Sequence, residues 1–188
     1  MLADPADMLA YVPLRASSRV ADFGSGSGAY TSVLLDRIGT EGSVYALDAL
    51  PQSLDALRRQ AILSGKKCMT LCAEFEHQLP LKENLLDVAI VANVLHAIDP
   101  MVRPHFVAEL ARVVAPGGSV LVVDWAGSFK NMGPPAPLIV APVDAVRLFR
   151  SSGFTAGSML PAGTHQYAFV ATLPNVTSIA TVTSVQTI

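Results

Sequence analysis

An α/β fold on a doubly wound, mostly parallel sheet is predicted by three observations on the 188-residue chain. Short apolar runs alternate with segments of helical periodicity, the pattern of repeated βαβ units. The first run, Arg19-Val-Ala-Asp-Phe23, meets glycines at alternate positions, Gly24, Gly26 and Gly28. The next, Val44-Tyr-Ala-Leu-Asp48, closes on a carboxylate 24 residues after Gly24, about where a nucleotide-type fold places its ribose-binding acid.

Composition agrees. Hydrophobic residues make up 51% of the chain and charged residues 15%, which suits a buried sheet rather than a disordered chain. A single domain is expected at this length. With a net charge of −2 and no Lys/Arg block, neither nucleic acid nor an anionic lipid surface is an expected partner. The stretch Met1-Leu-Ala-Asp-Pro5 has neither the basic region nor the apolar run of a secretory signal. No segment offers the roughly 18 apolar residues of a membrane span, so a cytoplasmic protein is expected. Cys68 and Cys72 on one strand would share a face about 13 Å apart, too far to pair. They are expected as buried free thiols. His77, His96, His105 and His165 are scattered, and no metal site is expected.

Along the chain, Ala6–Leu14 reads as a lead-in helix and Val20–Phe23 as the first strand. Ala29–Ile38 is helical, with Tyr30, Val33, Leu34 and Ile38 on one face and Gly39 as its cap. Val44–Leu47 is a strand, and Pro51 suits the first turn of a helix ending near Gly65. Cys68–Cys72 follows as a strand, and Asp87–Ala92 as one covered on both faces. Asp99-Pro100 reads as N-cap and first helical residue of a helix ending at Pro116-Gly117-Gly118. Ser119–Val123 is a strand, Val143–Ser151 a helix, and Phe154–Leu160 and Tyr167–Thr172 close the sheet. Gly133–Pro142, with four prolines, reads as irregular, either a lid or a linker. The uncharged tail Pro174–Ile188 reads as a frayed or loosely packed terminus following a domain over residues 1–173.

The glycines allow positive φ and close approach of a ligand, at the strand ends where open α/β sheets bind their ligands. Gly24-x-Gly26-x-x-Ala29 satisfies a dinucleotide fingerprint. The whole stretch fits Asp-x-Gly-x-Gly-x-Gly better, as Asp22-Phe-Gly-Ser-Gly-Ser-Gly28. With that motif, Asp48, the segment from Glu74 to His96, and Glu109-Leu-Ala-Arg-Val-Val-Ala-Pro-Gly-Gly-Ser-Val-Leu-Val-Val-Asp124, the chain resembles the class I S-adenosylmethionine-dependent methyltransferases. It is similar to the small bacterial ubiquinone/menaquinone-biosynthesis type over roughly residues 5–172.

The resemblance implies a Rossmann-like, seven-stranded sheet whose last strand is antiparallel. It implies S-adenosyl-L-methionine as cofactor, with Asp22 and the backbone of Gly24, Ser25, Gly26 and Gly28 cradling its methionine part. Asp48, followed by Ala49, would hold the ribose hydroxyls, and Glu74 with the Phe75 backbone would meet the adenine edge. Asn93 would lie beside the reacting methyl. The family usually has Asp where Glu74 stands. The residues fit such a ligand on their own terms: no Lys or Arg lies between Arg19 and Arg37, as suits a phosphate-free ligand, while Asp22 and Asp48 supply acceptors for an ammonium and for hydroxyls. Asp22 could equally brace the turn, and Asp48 could cap the next helix.

Methyl transfer from a sulfonium needs in-line alignment above all, and a base only where the nucleophile arrives protonated. The catalytic candidates are His96, which either acts as base or pins its loop, and Asp124, which either faces substrate or caps a loop. Trp125 is either an aromatic wall or a plug at the sheet edge. No Asn/Asp-Pro-Pro-Tyr/Phe follows the fourth strand, Asn93 stands where metal-dependent relatives carry Asp, and two cysteines do not make an arsenic site. A small, fairly apolar acceptor methylated on C, O or N is expected, and a homodimer is left open. The competing readings are a catalytically silent S-adenosylmethionine-binding module and an NAD-binding oxidoreductase.

Overall fold

The computed structural model describes residues 1–63, 65, 67–129 and 132–175. Seven strands form one sheet: β1 (Arg19–Phe23), β2 (Ser43–Asp48), β3 (Met69–Cys72), β4 (Leu86–Ala92), β5 (Val114–Trp125), β6 (Thr155–Ala156) and β7 (Gln166–Thr172). Their spatial order is β3-β2-β1-β4-β5-β7-β6. β1 to β5 run parallel, and β7 is antiparallel to both β5 and β6. The order reverses between β1 and β4, and that switch point fixes where a ligand can enter.

The strand period of two sorts the core onto two faces. Val20, Val44, Val88, Ile90, Leu121 and Val123 pack on one side with Leu34 and Leu35 of α2 (Ala29–Arg37) and Met8 of α1 (Pro5–Met8). α3 (Pro51–Leu63) covers Ala46 on that side through Leu54 and Leu57. Ala21, Phe23, Ala89, Val91, Val120 and Val122 face the other way, against α4 (Arg103–Val113) and α5 (Pro142–Ser151). There Phe106 of α4 stacks on Phe75 at 5.0 Å and meets Phe23 edge-on at 5.9 Å.

Several elements depart from the sequence expectation for local reasons. The lead-in helix ends in a 3₁₀ turn, Leu9–Tyr11, because Pro13 disfavours helix in the residue before it and offers no N–H of its own. α4 starts at Arg103 instead of Pro100. A start at Pro100 would put Pro104 where its absent N–H is needed; Asp99 instead closes a separate turn, its carbonyl accepting from Val102 and Arg103 at 2.9 and 3.1 Å. β6 is only two residues long. Beyond it the N–H groups of Gly157 and Leu160 donate to Val170 and Ala168, so three residues advance against two and the chain bulges out of register.

β5 begins five residues early, running through Pro116-Gly117-Gly118, and its register against β4 shifts between Leu86 and Val88. Gly133–Pro142 is irregular, as expected, and half exposed: it holds a 3₁₀ turn over Ala136–Leu138, buries Pro134 and Val140, and Pro142 opens α5. Cys72 is exposed and Cys68 half-buried, both free, so neither is the buried thiol expected. Of the tail, only Pro174 and Asn175 belong to the described residues. No helix of the described residues is long and apolar enough to cross a membrane.

Because Phe106 is fully buried between Phe23 and Phe75, Phe106→Ala should lower stability by about 3–5 kcal/mol. The denaturant midpoint, at unchanged slope, measures it.

Candidate active site

The turn after β1 is bonded to the tip of β2. The N–H groups of Gly24 and Ser25 both donate to the Leu47 carbonyl, at 2.8 and 3.0 Å, and Gly26 N–H donates to Asp48 Oδ2 at 2.8 Å. Asp48 Oδ1 accepts from Leu50 N–H at 2.9 Å, so each carboxylate oxygen keeps a lone pair for another donor. Gly24, Gly26 and Gly28 have φ of 71°, 49° and 88°, which only glycine adopts without strain. A Cβ on Gly24 would also sit 2.5 Å from Val94 Cγ2.

Beside this turn lies a cavity of about 510 Å³, in the range of small-molecule sites. Its walls are Gly24, Asp48, Ala49, Glu74, Phe75, Glu76, Asn93, Val94, Ala97 and Ile98. Gly24, Asp48, Ala49, Glu74, Phe75 and Asn93, predicted from four separate stretches of sequence, thus meet at one opening. Ser25, Gly26 and Gly28 belong to the adjoining turn without lining the cavity. Ser25 Oγ is buried and, among the described residues, has no partner.

Asp22 does not reach the cavity. It is 2% exposed beneath the turn, and its Oδ2 accepts from Thr31 Oγ1 at 2.6 Å. Asn93 holds a left-handed φ of 58°, uncommon outside glycine but tolerated by Asn, and its N–H donates to Val123 O at 2.8 Å.

His96 and Asp124 form a pair just outside the lining. His96 Nδ1 lies 2.7 Å from Asp124 Oδ1, and Asp124 Oδ2 accepts from His96 N–H at 3.2 Å. Asp124 Oδ1 also accepts from Trp125 N–H at 2.7 Å. The Asp124 side chain is 2% exposed and that of His96 17%. The Trp125 ring lies against Gly133 and 6.4 Å from Phe129, which meets His165 edge-on at 4.2 Å. Tyr167, opposite Asp124 in the β5–β7 register, buries a hydroxyl with no partner among the described residues. Burial, then the Asp124 charge, raises its pKa, so it stays a neutral hydroxyl.

The lining side chains fit a cationic, phosphate-free nucleoside. Three carboxylates (Asp48, Glu74, Glu76) line the cavity and no Lys or Arg does. The family model for a methyltransferase domain matches residues 20–118, just over half the chain. The chain belongs to the class I S-adenosylmethionine-dependent methyltransferases.

Among their solved structures, a SAM-dependent methyltransferase from Aquifex aeolicus superposes with a TM-score of 0.81 at 26% identity, covering 92% of this chain and 90% of that one. An uncharacterized methyltransferase of Mycobacterium tuberculosis is 34% identical over 129 residues, 69% of this chain and 48% of the relative. A ubiquinone/menaquinone biosynthesis C-methyltransferase of Burkholderia mallei is 28% identical over 121 residues, 62% of this chain and 47% of the relative. The chain thus spans about half the length of these curated relatives. Membership of this family leaves the NAD-binding reading without support.

Within this methyltransferase domain, sequence reasoning missed Glu76, Val94, Ala97 and Ile98 in the lining, Thr31 beneath the turn, and Gln166, whose Nε2 donates to Asn93 Oδ1 at 2.6 Å. Glu76, Val94, Ala97 and Ile98 neighbour identified residues and could have been found by extension. Thr31 and Gln166 reach the site only through the fold.

Burial pushes Asp22 up to about 7, against the lowering effect of the Thr31 hydrogen bonds. A carboxyl raised in the folded state holds its proton there after the unfolded chain has lost it. Its share of stability is complete below about pH 4 and is lost as pH rises toward 7. Denaturant midpoints across that window should fall with a slope of at most about 1.4 kcal/mol per pH unit from this group. Asp22→Asn should flatten the slope, and Thr31→Val should extend it to higher pH.

Proposed function

We propose that this domain binds S-adenosyl-L-methionine in the cavity beside Gly24 and Asp48 and transfers its methyl group to a small, fairly apolar acceptor. The observation that carries the reading is Asp48. Its carboxylate is fixed by two backbone N–H groups at the tip of β2, faces the cavity, and retains acceptor capacity for a pair of ribose hydroxyls. Glu74 and the Phe75 backbone lie on the same wall for the adenine edge, and Asn93 stands at the end of β4 for the methionine end. Asp22 serves the same site from beneath, by holding the turn to Thr31.

When bound, the cofactor supplies an electrophilic methyl on a sulfonium, so the chain's task is alignment and, for a protonated nucleophile, removal of a proton. We assign the proton to His96. The Asp124 carboxylate at 2.7 Å keeps the proton on Nδ1 and leaves Nε2 as the basic nitrogen. His96 follows Val94 by two residues and precedes Ala97, both cavity-lining, which supports reading its ring toward the methyl-acceptor side of the cleft. Asp124 acts through His96 and is a positioning residue. The apolar wall of Val94, Ala97 and Ile98 favours an acceptor of low polarity. The unpaired thiols of Cys68 and Cys72 suit a reducing cytoplasm.

Calorimetry with S-adenosylhomocysteine, the demethylated product, tests the binding. Asp48→Ala should weaken it by about 30-fold or more, the loss of charge-assisted hydrogen bonds worth about 2 kcal/mol or more; an unchanged Kd would overturn the ribose assignment. Methyl-labelled cofactor incubated with a metabolite extract tests the transfer. Label should move to a small apolar fraction, whereas binding without any transfer would identify a silent cofactor-binding module. In that assay His96→Ala should lower turnover by about 10²–10⁴-fold while leaving the affinity for S-adenosylhomocysteine unchanged.

A further inference from the structure

Three amide groups in series connect the start of the chain to the cavity. Ala3 N–H donates to Gln166 Oε1 at 2.8 Å, and Gln166 Nε2 donates to Asn93 Oδ1 at 2.6 Å. The adjoining loop is tied to the same segment, with Thr164 N–H donating to Met1 O at 3.1 Å. Gln166 is 7% exposed.

The series has only one polarity. A side-chain amide can be turned end for end, and its orientation follows from its partners. The Ala3 backbone N–H is a donor and nothing else, so it must meet the oxygen of Gln166. That leaves the Gln166 NH₂ for Asn93, which must therefore turn its own oxygen toward Gln166. The Asn93 NH₂ is left facing away, and Asn93 lines the cavity.

A side-chain N–H is what this cavity lacks elsewhere. Among its lining residues Asn93 is the one side chain with an N–H, and three others are carboxylates. In the neighbouring turn the N–H groups of Gly24, Ser25, Gly26 and Gly28 are already bonded to Leu47, Asp48 and Ser25. An amino-acid moiety brings an ammonium, for which acceptors abound, and a carboxylate, which needs a donor.

We propose that Gln166, oriented by the backbone of Ala3, is a positioning residue that turns the Asn93 NH₂ into the cavity to bind the carboxylate of the cofactor's methionine end. This rests on the S-adenosylmethionine reading above. It adds that the affinity for the amino-acid half of the cofactor is set from β7 and the chain's first residues, outside the cavity.

The test compares two ligands by calorimetry on the full chain: S-adenosylhomocysteine, and 5′-methylthioadenosine, which keeps the nucleoside and sulfur but has no carboxylate. Gln166→Glu can only accept, so it should draw the Asn93 NH₂ toward itself and present Asn93 Oδ1 to the cavity. Binding of S-adenosylhomocysteine should fall by at least about tenfold, with 5′-methylthioadenosine changing less than about twofold. Ala3→Pro adds no charge and removes the N–H that sets the polarity. Two orientations of the amides then compete, and S-adenosylhomocysteine alone should weaken by about two- to threefold.

Equal losses for both ligands, or none for S-adenosylhomocysteine, would overturn the proposal. Failure of the unsubstituted chain to bind S-adenosylhomocysteine would overturn the cofactor reading itself, and this inference with it. Should Gln166→Glu not fold, judged by its melting curve, the Ala3→Pro comparison decides by the same criteria.

Discussion

The Leu47 carbonyl accepts two hydrogen bonds, from Gly24 and Ser25, and the rest of the site follows from that pairing. It continues the β1–β2 register, in which Phe23 faces Leu47, one step past the end of β1. The turn is thereby locked against the neighbouring strand instead of standing free in solvent. A locked turn brings Gly26 N–H to Asp48 Oδ2 and sends the chain into α2, where Ser32 N–H closes on the Gly28 carbonyl. Two successive donors on one carbonyl demand a sharply bent backbone, and the bend is supplied by positive φ at Gly24 and Gly26.

β7 serves the site because it is antiparallel. A strand entering the sheet from the opposite direction begins at the end where the parallel strands finish, so its first residues lie level with the cavity. The register pairs Trp125 with Gln166 and Asp124 with Tyr167, and the pleat sends those two pairs to opposite faces. Gln166 and the start of the chain work from the α1–α2 side, touching Asn93. Asp124 and His96 work from the α4–α5 side, with the Tyr167 hydroxyl buried on that same face. Asn93 stands between them at the end of β4, and its left-handed backbone, bonded to Val123 O, lets one residue serve an opening flanked from both faces.

What was legible in the sequence was local. The glycine spacing, the acid at the end of β2 and the apolar run of β4 each express a rule that acts within a few residues, and all were placed to within a residue or two. One element end shifted where two local rules conflicted: Asp99-Pro100 is a sound helix start until Pro104 is weighed against it, and α4 begins where that conflict is resolved. Another, β5, starts early through pairing across the sheet, Val114 against Leu86. The positions that could not be read depend on contacts across the fold. Gln166 lies 73 residues from Asn93, and nothing in Thr-His-Gln-Tyr marks a glutamine destined to bond Asn93. Thr31 is only nine residues from Asp22, yet their pairing requires knowing that the chain doubles back at Gly24–Gly28. The antiparallel setting of β7 came from family resemblance, since periodicity carries no strand direction.

The two carboxylates of the glycine turn divide the labour that a reading of acceptors alone would give to both. Asp48 lies outside the turn, takes two backbone N–H groups and keeps acceptor capacity toward the cavity. Asp22 lies inside, where burial raises it to about 7; a buried carboxyl without compensation would be costly. The compensation is Thr31, in the first turn of α2, whose hydroxyl and backbone N–H both bond the carboxyl at the helix end that favours a negative charge. That bond spans the turn from the last residues of β1 to the first of α2, so the bend is closed from beneath by Asp22 and from the side by Asp48. A turn closed on both sides can keep three glycines in left-handed geometry without being loose there. Its flexibility in sequence becomes rigidity in the fold, and a ligand at Gly24 meets a rim whose ordering cost was met during folding.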